Sequence, residues 1–125
     1  MKYLRSSLVV FAIGFAAAIF IWSKQPIDGN PEAVKEASTR SVVLETGMAL
    51  EHWMEANNRK PPDAKVGLSV LQLKAVVRDG WGHSLIYRPQ EQGSPHPFEL
   101  YSVGPSGVDK GGVADNISYW DVKKN

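Results

Sequence analysis

The sequence predicts an α+β protein in which an N-terminal transmembrane helix precedes one long amphipathic helix packed on a small antiparallel β-sheet. Three observations lead to this fold class. Residues 6–23 carry no charge and are largely apolar. Apolar residues recur at helical spacing between residues 31 and 57. Apolar and polar residues alternate in residues 84–88 and 98–103, as they do in strands. Turn residues separate the alternating segments, which favours antiparallel pairing.

Composition limits the classes of function. The chain has 125 residues, a formal net charge of +1 and no cysteine. This length accommodates one modest domain after the N-terminal segment. A nearly neutral chain lacks the broad basic surface that nucleic-acid binding requires, so nucleic acid is not expected as a partner. The absence of cysteine removes disulfides, thiolate nucleophiles and cysteine-based zinc sites.

The first 24 residues are predicted to be a signal anchor. Lys2 and Arg5 precede the uncharged stretch, residues 6–23, and Lys24 follows it. This stretch is close to the roughly 20 residues of a spanning helix, and flanking Lys and Arg side chains extend the span by reaching the interface. The alternative is a cleavable signal with a small-residue site at residues 16–18. As an anchor, residues 6–23 lie in the lipid bilayer; both interpretations put the positive end inside and the C-terminal part outside the cytoplasm.

A short linker, residues 25–30, is predicted to separate the anchor from the domain formed by residues 31–125. Pro26 and Gly29 interrupt helical structure in this linker. The following helix is predicted over residues 31–57, since Asn30 suits an N-cap and Pro31 suits the first helical position. Its apolar stripe consists of four residues widened by four more: Val43, Gly47, Leu50 and Met54, with Val42, Leu44, Met48 and Trp53.

The double proline Pro61-Pro62 ends this helix in the sequence-based prediction. The next apolar segment, residues 68–77, is predicted to be a second short helix with Ser69 as its cap and Val70, Leu73 and Val77 on its buried face. The β-branched residues of this segment leave a strand as the alternative.

The predicted sheet is formed by residues 84–88, 98–103 and 117–120. The proline-rich residues 89–97 connect the first two strands as a hairpin loop, and a glycine- and aspartate-rich loop, residues 104–116, leads to the third. A sheet this small is expected to bury one face only, leaving an aromatic row of the other face partly exposed.

The order of these features resembles the globular domain of the G-type, or major, pseudopilin of the bacterial type II secretion system. Four motifs carry the resemblance over about residues 41–120: Asp79-Gly80-Trp81-Gly82, Leu85-Ile86-Tyr87, residues 101–107 (Tyr-Ser-Val-Gly-Pro-Ser-Gly), and Asp115-Asn116-Ile117 followed by Trp120. The chain departs from the family at its start. Gly14-Phe15 fits the family's processing dipeptide, but Ile19 stands where a processed subunit has glutamate.

The resemblance implies a calcium site in the loop. Matching the family's motif gives main-chain carbonyls and side-chain oxygens from Val103, Ser106, Val108, Asp109, Asp115 and Asn116. Calcium prefers six to eight such oxygen ligands. Ser106 and Asn116 stand where the family has aspartates, which lowers the ligand charge. The alternative is a glycine-supported loop closed by ordinary hydrogen bonds, with Asp115 bonded to backbone amides.

The remaining polar and aromatic residues do not indicate catalysis. His52, His83 and His96 lack a metal-ligand spacing, and Trp81 and Trp120 are predicted to be core anchors, with Asp79 bonding its own turn. The sequence therefore predicts a non-enzymatic, pseudopilin-like structural or interaction protein of a type II secretion or type IV pilus-like system. It would be a single-pass inner-membrane protein with its C-terminal domain in the periplasm, protein partners and no small-molecule substrate. The alternative is a membrane-tethered binding module that reuses the fold outside secretion.

Overall fold

The computed structural model describes residues 30–125. The predicted anchor, residues 1–24, and all of the linker except Asn30 lie outside the described part. The elements are two α-helices, a short 3-10 helix and three strands: α1 (Pro31–Glu55), the 3-10 helix (Gly67–Leu71), β1 (Ile86–Pro89), β2 (Phe98–Ser102), β3 (Ile117–Ser118) and α2 (Tyr119–Lys124). Within residues 30–125, no helix combines the length and apolarity of a membrane span.

The three strands form one antiparallel sheet in the order β1-β2-β3. Tyr87 pairs with Leu100, and Tyr101 pairs with Ser118. The predicted α+β class, with one long helix and a small antiparallel sheet, is confirmed. The strand limits differ slightly from the prediction, since β1 begins at Ile86 and Ser84 instead forms an isolated bridge with Arg78.

Helix α1 begins at Pro31, as predicted, and ends at Glu55, two residues earlier than predicted. Asn58 and Arg59 adopt left-handed conformations beyond its end, and the Arg59 N–H donates to the Met54 carbonyl at 2.7 Å. This backbone reversal uses a free carbonyl of the last helical turn, so the chain leaves the helix before it reaches the prolines.

The core lies between α1 and one face of the sheet. The predicted stripe residues Val43, Gly47, Leu50 and Met54 are buried, whereas Met48 is 52% exposed. The stripe is therefore narrower than predicted on that side. The sheet contributes Phe98 and Leu100, the residue before β1 contributes Leu85, and α2 contributes Tyr119, to the same cluster.

The prediction of a second α-helix at residues 68–77 is wrong. A 3-10 helix ends at Leu71, and Gln72 takes a left-handed conformation with φ of 53°. Ser69 does not cap a helix; its hydroxyl donates to the Val66 carbonyl. The short β-branched segment gains too little from helical hydrogen bonds to extend the helix, and Leu73 and Val76 remain exposed.

The chain after Ser118 is helical, which the sequence-based prediction of a strand over residues 117–120 missed. The Tyr119 hydroxyl and the Lys123 ammonium both donate to Glu51 Oε1, each at 2.7 Å. These bonds connect α2 to α1. Lys123 is thus part of a tertiary contact.

The second face of the sheet is partly covered. Tyr101 is 1% exposed, because residues 104–116 fold over its ring. A Cβ added at Gly112 would lie 3.3 Å from that ring, so the loop backbone approaches it closely. The expectation of an exposed aromatic row on this face is therefore wrong: the glycine-rich loop covers Tyr101, while Arg88 on the same face stays exposed.

Candidate functional site

The candidate site is the loop of residues 104–116, which begins directly after β2 and the buried Val103. Gly104 starts the loop with φ of +70°, and a Cβ at this position would overlap the Asp115 carbonyl oxygen. Only glycine allows the two ends of the loop to approach this closely. The two ends therefore meet beside β2, and the intervening residues project over Tyr101.

Asn116 holds the centre of the loop. Its side-chain nitrogen donates to the carbonyls of Val103 and Val108, each at 3.0 Å. Its side-chain oxygen accepts from the backbone N–H groups of Lys110 at 2.8 Å and Gly112 at 3.2 Å. Asn116 is 8% exposed, and these four bonds use the full donor and acceptor capacity of an amide.

Asp115 connects two further parts of the loop. Its Oδ1 accepts from the Lys110 ammonium at 2.8 Å, and its Oδ2 accepts from the Ser106 N–H at 3.1 Å. Donation from Lys110, with help from Ser106, lowers the pKa of Asp115 to about 2. Asp115 is therefore a carboxylate at any ordinary pH, and its charge is already paired.

Asp109 is held by the sheet. Its two carboxylate oxygens accept from the Tyr101 hydroxyl and from the Arg88 guanidinium, each at 2.7 Å, and the Gly111 N–H also donates to it. The hydrogen bond from Tyr101 keeps the pKa of Asp109 below its usual range. Burial, together with donation to Asp109, raises the pKa of Tyr101 to about 12. Tyr101 thus remains a neutral donor beneath the loop.

The six residues expected to bind calcium are only partly brought together. The carbonyls of Val103 and Val108 converge on one point, but the Asn116 side-chain nitrogen lies at that point. The Ser106 hydroxyl accepts from the Val108 N–H at 3.3 Å. Asp109 and Asp115 are bonded to separate partners. Across residues 30–125, no three His, Asp or Glu side chains form a group suited to a metal ion.

As arranged, this donor set does not fit a hard dication. Calcium requires oxygen atoms that present free lone pairs and an excess of negative charge. Here an amide nitrogen faces the two converging carbonyls, and an ammonium group faces the nearest carboxylate. The calcium ion implied by the resemblance stays a prediction, while the described contacts correspond to the alternative of a hydrogen-bonded loop.

The Asp79 turn connects this loop to α1. The Asp79 carboxylate accepts from the Trp81 and His83 N–H groups at 3.0 and 2.8 Å, as expected for a carboxylate that bonds its own turn. Its other oxygen accepts from the Ser102 hydroxyl at 2.7 Å. That hydroxyl in turn accepts from the Gly104 N–H at 2.9 Å, so one buried chain of bonds joins the turn to the start of the loop.

Trp81 and Trp120 differ in role. Trp120 packs on the core and donates to the Phe98 carbonyl at 2.7 Å, and His96 stacks on its indole at 4.2 Å between ring centroids. Trp81 is half-buried and lies outside the core cluster; its indole N–H donates to Glu32 at 2.8 Å. Trp81 therefore attaches the turn to the first turn of α1, in contrast to the core anchor predicted from the sequence.

Two contributors were missed by sequence reasoning. Lys110 pairs with Asp115, and the Thr39 hydroxyl accepts from the Gly80 N–H at 2.8 Å across the domain. The signal for Lys110 was present, because asparagine replaces an aspartate of the family's motif in the same loop that carries a lysine. Thr39 has no comparable signal, since a threonine on a helix specifies no distant partner.

A separate apolar groove of about 400 Å³ lies beside the 3-10 helix. Its lining includes Leu68, Leu73, Val77 and Leu85. Leu73 is 38% exposed, and the neighbouring Val76 is 68% exposed. This groove is one of the exposed apolar surfaces of the described residues 30–125.

No protein-family model matches this chain, and comparison with curated proteins and with solved structures finds no match for it.

Proposed function

We propose that this chain is a membrane-anchored, pseudopilin-like structural or interaction protein of a type II secretion or type IV pilus-like system. Its N-terminal segment holds it in the inner membrane, and its folded domain works in the periplasm. The domain contacts protein partners and carries out no reaction of its own.

The observation that carries this proposal is the way the ordered motifs meet in one unit. The Asp79 turn bonds to α1 through Gly80 and Thr39, and to the glycine-rich loop through Ser102. The motif residues that carry the resemblance therefore support one another across the helix, the sheet and the loop. This agreement between motif order and packing favours a shared architecture over a chance match of short motifs.

The charged groups of the loop support a structural role. Arg88 pairs with Asp109, and Lys110 pairs with Asp115, at 2.7 and 2.8 Å. A catalytic acid or base requires a titratable group that faces a substrate. These groups instead fix the conformation of the loop over the sheet, which suits a rigid surface presented to another protein.

Site-specific photo-crosslinking in membranes of the source organism tests the proposal. A photoreactive residue replaces Met48, which is exposed on α1, or Gln92, an exposed residue of the hairpin loop that serves as the matched position. Mass spectrometry of the products is expected to identify secretion or pilus components from Met48. Reproducible products that never include such components would contradict the proposal.

The second candidate function is a membrane-tethered binding module unrelated to secretion. The apolar groove lined by Leu68, Leu73 and Val77 favours it, because exposed apolar surface rimmed by polar residues is typical of binding sites. A photoreactive residue at Val76 distinguishes the two candidates. Products from Val76 with a protein of another system, together with unchanged secretion after deletion of the gene, would favour the binding module.

A further inference from the structure

We infer that the loop of residues 104–116 holds its conformation without a metal ion, because the Asn116 amide and the Lys110 ammonium make the contacts that a bound dication would make. A cation organises a loop by attracting oxygen atoms from distant positions in the chain. In this domain the Asn116 nitrogen attracts the carbonyls of Val103 and Val108, and the Lys110 ammonium attracts Asp115.

The orientation of the Asn116 amide is determined by its surroundings. Two carbonyl oxygens lie on one side of it, and two backbone N–H groups lie on the other. Rotation by 180° would place the amide oxygen against both carbonyls and the amide nitrogen against both N–H groups. Four favourable contacts would then become four unfavourable ones, which fixes the nitrogen at the convergence of the carbonyls.

Charge in the loop is already balanced. The Asp115 carboxylate lies 2.8 Å from the Lys110 ammonium, and Asp109 lies 2.7 Å from the Arg88 guanidinium. A dication entering the loop would have to displace Lys110 and turn Asn116 away from two carbonyls. It would gain one carboxylate in exchange, whereas tight calcium sites gather several.

The hydrogen bonds of Asn116 and Lys110 also support the buried network beneath the loop. The loop covers Tyr101, and Gly104 at its start bonds to the Ser102 hydroxyl, which is bonded to Asp79. A loop that needed calcium would couple this buried network to the calcium concentration around the domain. With Asn116 and Lys110 in place, the domain keeps the same surface whether calcium is abundant or scarce.

Thermal unfolding of the full-length protein in detergent tests the inference. The melting temperature is measured in excess calcium and in excess EDTA for the natural protein and for Asn116→Asp. The natural protein is expected to melt at the same temperature in both solutions. Asn116→Asp places a carboxylate against two carbonyls, so it should melt lower in EDTA and recover in saturating calcium by on the order of 5 °C or more.

Asn125→Asp is the matched control, since it makes the same charge change at an exposed C-terminal residue and should not respond to calcium. A calcium-induced rise in the melting temperature of the natural protein, with stoichiometric binding by calorimetry, would overturn the inference. An Asn116→Asp protein that folds but ignores calcium would also overturn it. If Asn116→Asp does not fold in either solution, the natural protein's response to calcium decides between the two outcomes.

Discussion

Thr39 connects the long helix to the Asp79 turn, alongside the bond from Trp81 to Glu32. Its hydroxyl donates to the Lys35 carbonyl at 2.7 Å and accepts from the Gly80 N–H at 2.8 Å. A Cβ at position 80 would overlap the backbone of Lys35, so this contact requires glycine on the turn. The side chain of Thr39 is fully buried, and its hydroxyl is the acceptor that satisfies the Gly80 donor.

Replacing Thr39 with valine should therefore destabilise the domain by about 1–2 kcal/mol, because the Gly80 N–H is left without its acceptor in a largely dehydrated contact. Thr39→Ser keeps the hydroxyl and should recover most of this loss. Urea denaturation followed by tryptophan fluorescence measures the free energy of unfolding of each variant.

Ser41→Ala is the control for this substitution. Ser41 also donates to a carbonyl four residues earlier on α1, but it is exposed and lies away from the turn. Its removal should change the free energy of unfolding by less than about 0.5 kcal/mol. Equal effects of Thr39→Val and Ser41→Ala would show that the Gly80 contact contributes nothing to stability.

At the scale of elements, the contact between α1 and α2 depends on a small residue facing a large one. A Cβ at Gly47 would overlap the ring of Tyr119, which is fully buried and stacked on Phe98 with ring centroids 5.8 Å apart. Glycine in the middle of a helix costs about 1 kcal/mol relative to alanine. The close approach of the Tyr119 ring offsets that cost.

Gly47→Ala should consequently destabilise the domain despite its better helix propensity. Overpacking a buried contact costs roughly 1–3 kcal/mol. Most of this range is larger than the gain of about 1 kcal/mol in helix propensity that alanine brings. The measurement is the free energy of unfolding of Gly47→Ala, Tyr119→Leu and the double variant.

In this double-mutant cycle, alanine at position 47 should be tolerated better once the Tyr119 ring is removed, giving a favourable coupling energy. Additive effects of the two substitutions would contradict the proposed contact between Gly47 and Tyr119.

At the scale of the whole molecule, paired carboxylates make the domain sensitive to acid. Hydrogen bonds lower the pKa of four acidic residues. Trp81 donates to Glu32, Tyr101 donates to Asp109, and Lys110 donates to Asp115. Burial raises the pKa of Glu51, but the hydrogen bonds from Lys123 and Tyr119 outweigh burial and leave that pKa lowered. Three of these carboxylates connect separate elements, and Asp115 holds the loop of residues 104–116 together, so protonation weakens contacts throughout the fold.

The sign of the pH effect follows from the direction of these shifts. A carboxyl group with a lowered pKa in the folded state contributes stability that is present above its ordinary pKa of about 4 and is lost as the pH falls through its folded pKa. For Asp115 that folded pKa is about 2. Stability should therefore decline as the pH falls from about 4 to about 2, because the unfolded chain binds more protons in this range.

Melting temperatures across this pH range check the prediction, with Asp115→Asn as the comparison. This variant lacks the titrating group, so its melting temperature should decline less steeply than that of the natural protein. High salt should reduce the difference, since Asp115 and Lys110 are partly exposed. Parallel pH profiles for the two proteins would rule out a contribution from Asp115.

Particular residues show how far the sequence could be interpreted. Helical spacing identified Val43, Gly47, Leu50 and Met54 as the buried stripe, because periodicity records which face of a helix avoids water. The same argument failed for residues 68–77, where a left-handed Gln72 ends the short 3-10 helix. A segment this short has no strong preference of its own, so contacts from the rest of the chain decide its conformation.

For the candidate loop, too, the sequence predicted one part of the structure and the fold decided the rest. Its glycines and aspartates were identifiable as a loop from residue type alone, because φ and turn preferences are local properties. The position of Asn116 between two carbonyls and two N–H groups was not, since its partners at Val103 and Val108 lie 13 and 8 residues away in the chain.

By itself, the amino-acid order determined that one long helix would bury a stripe against a small antiparallel sheet, since both periodicities express which side chains leave water. Only the tertiary structure decided that Tyr119 enters the core opposite Gly47 and that the loop covers Tyr101. It also decided that hydrogen bonds from Asn116 and Lys110 hold the loop together. These outcomes depend on distances between residues far apart in the chain, and such distances exist only once the backbone has folded.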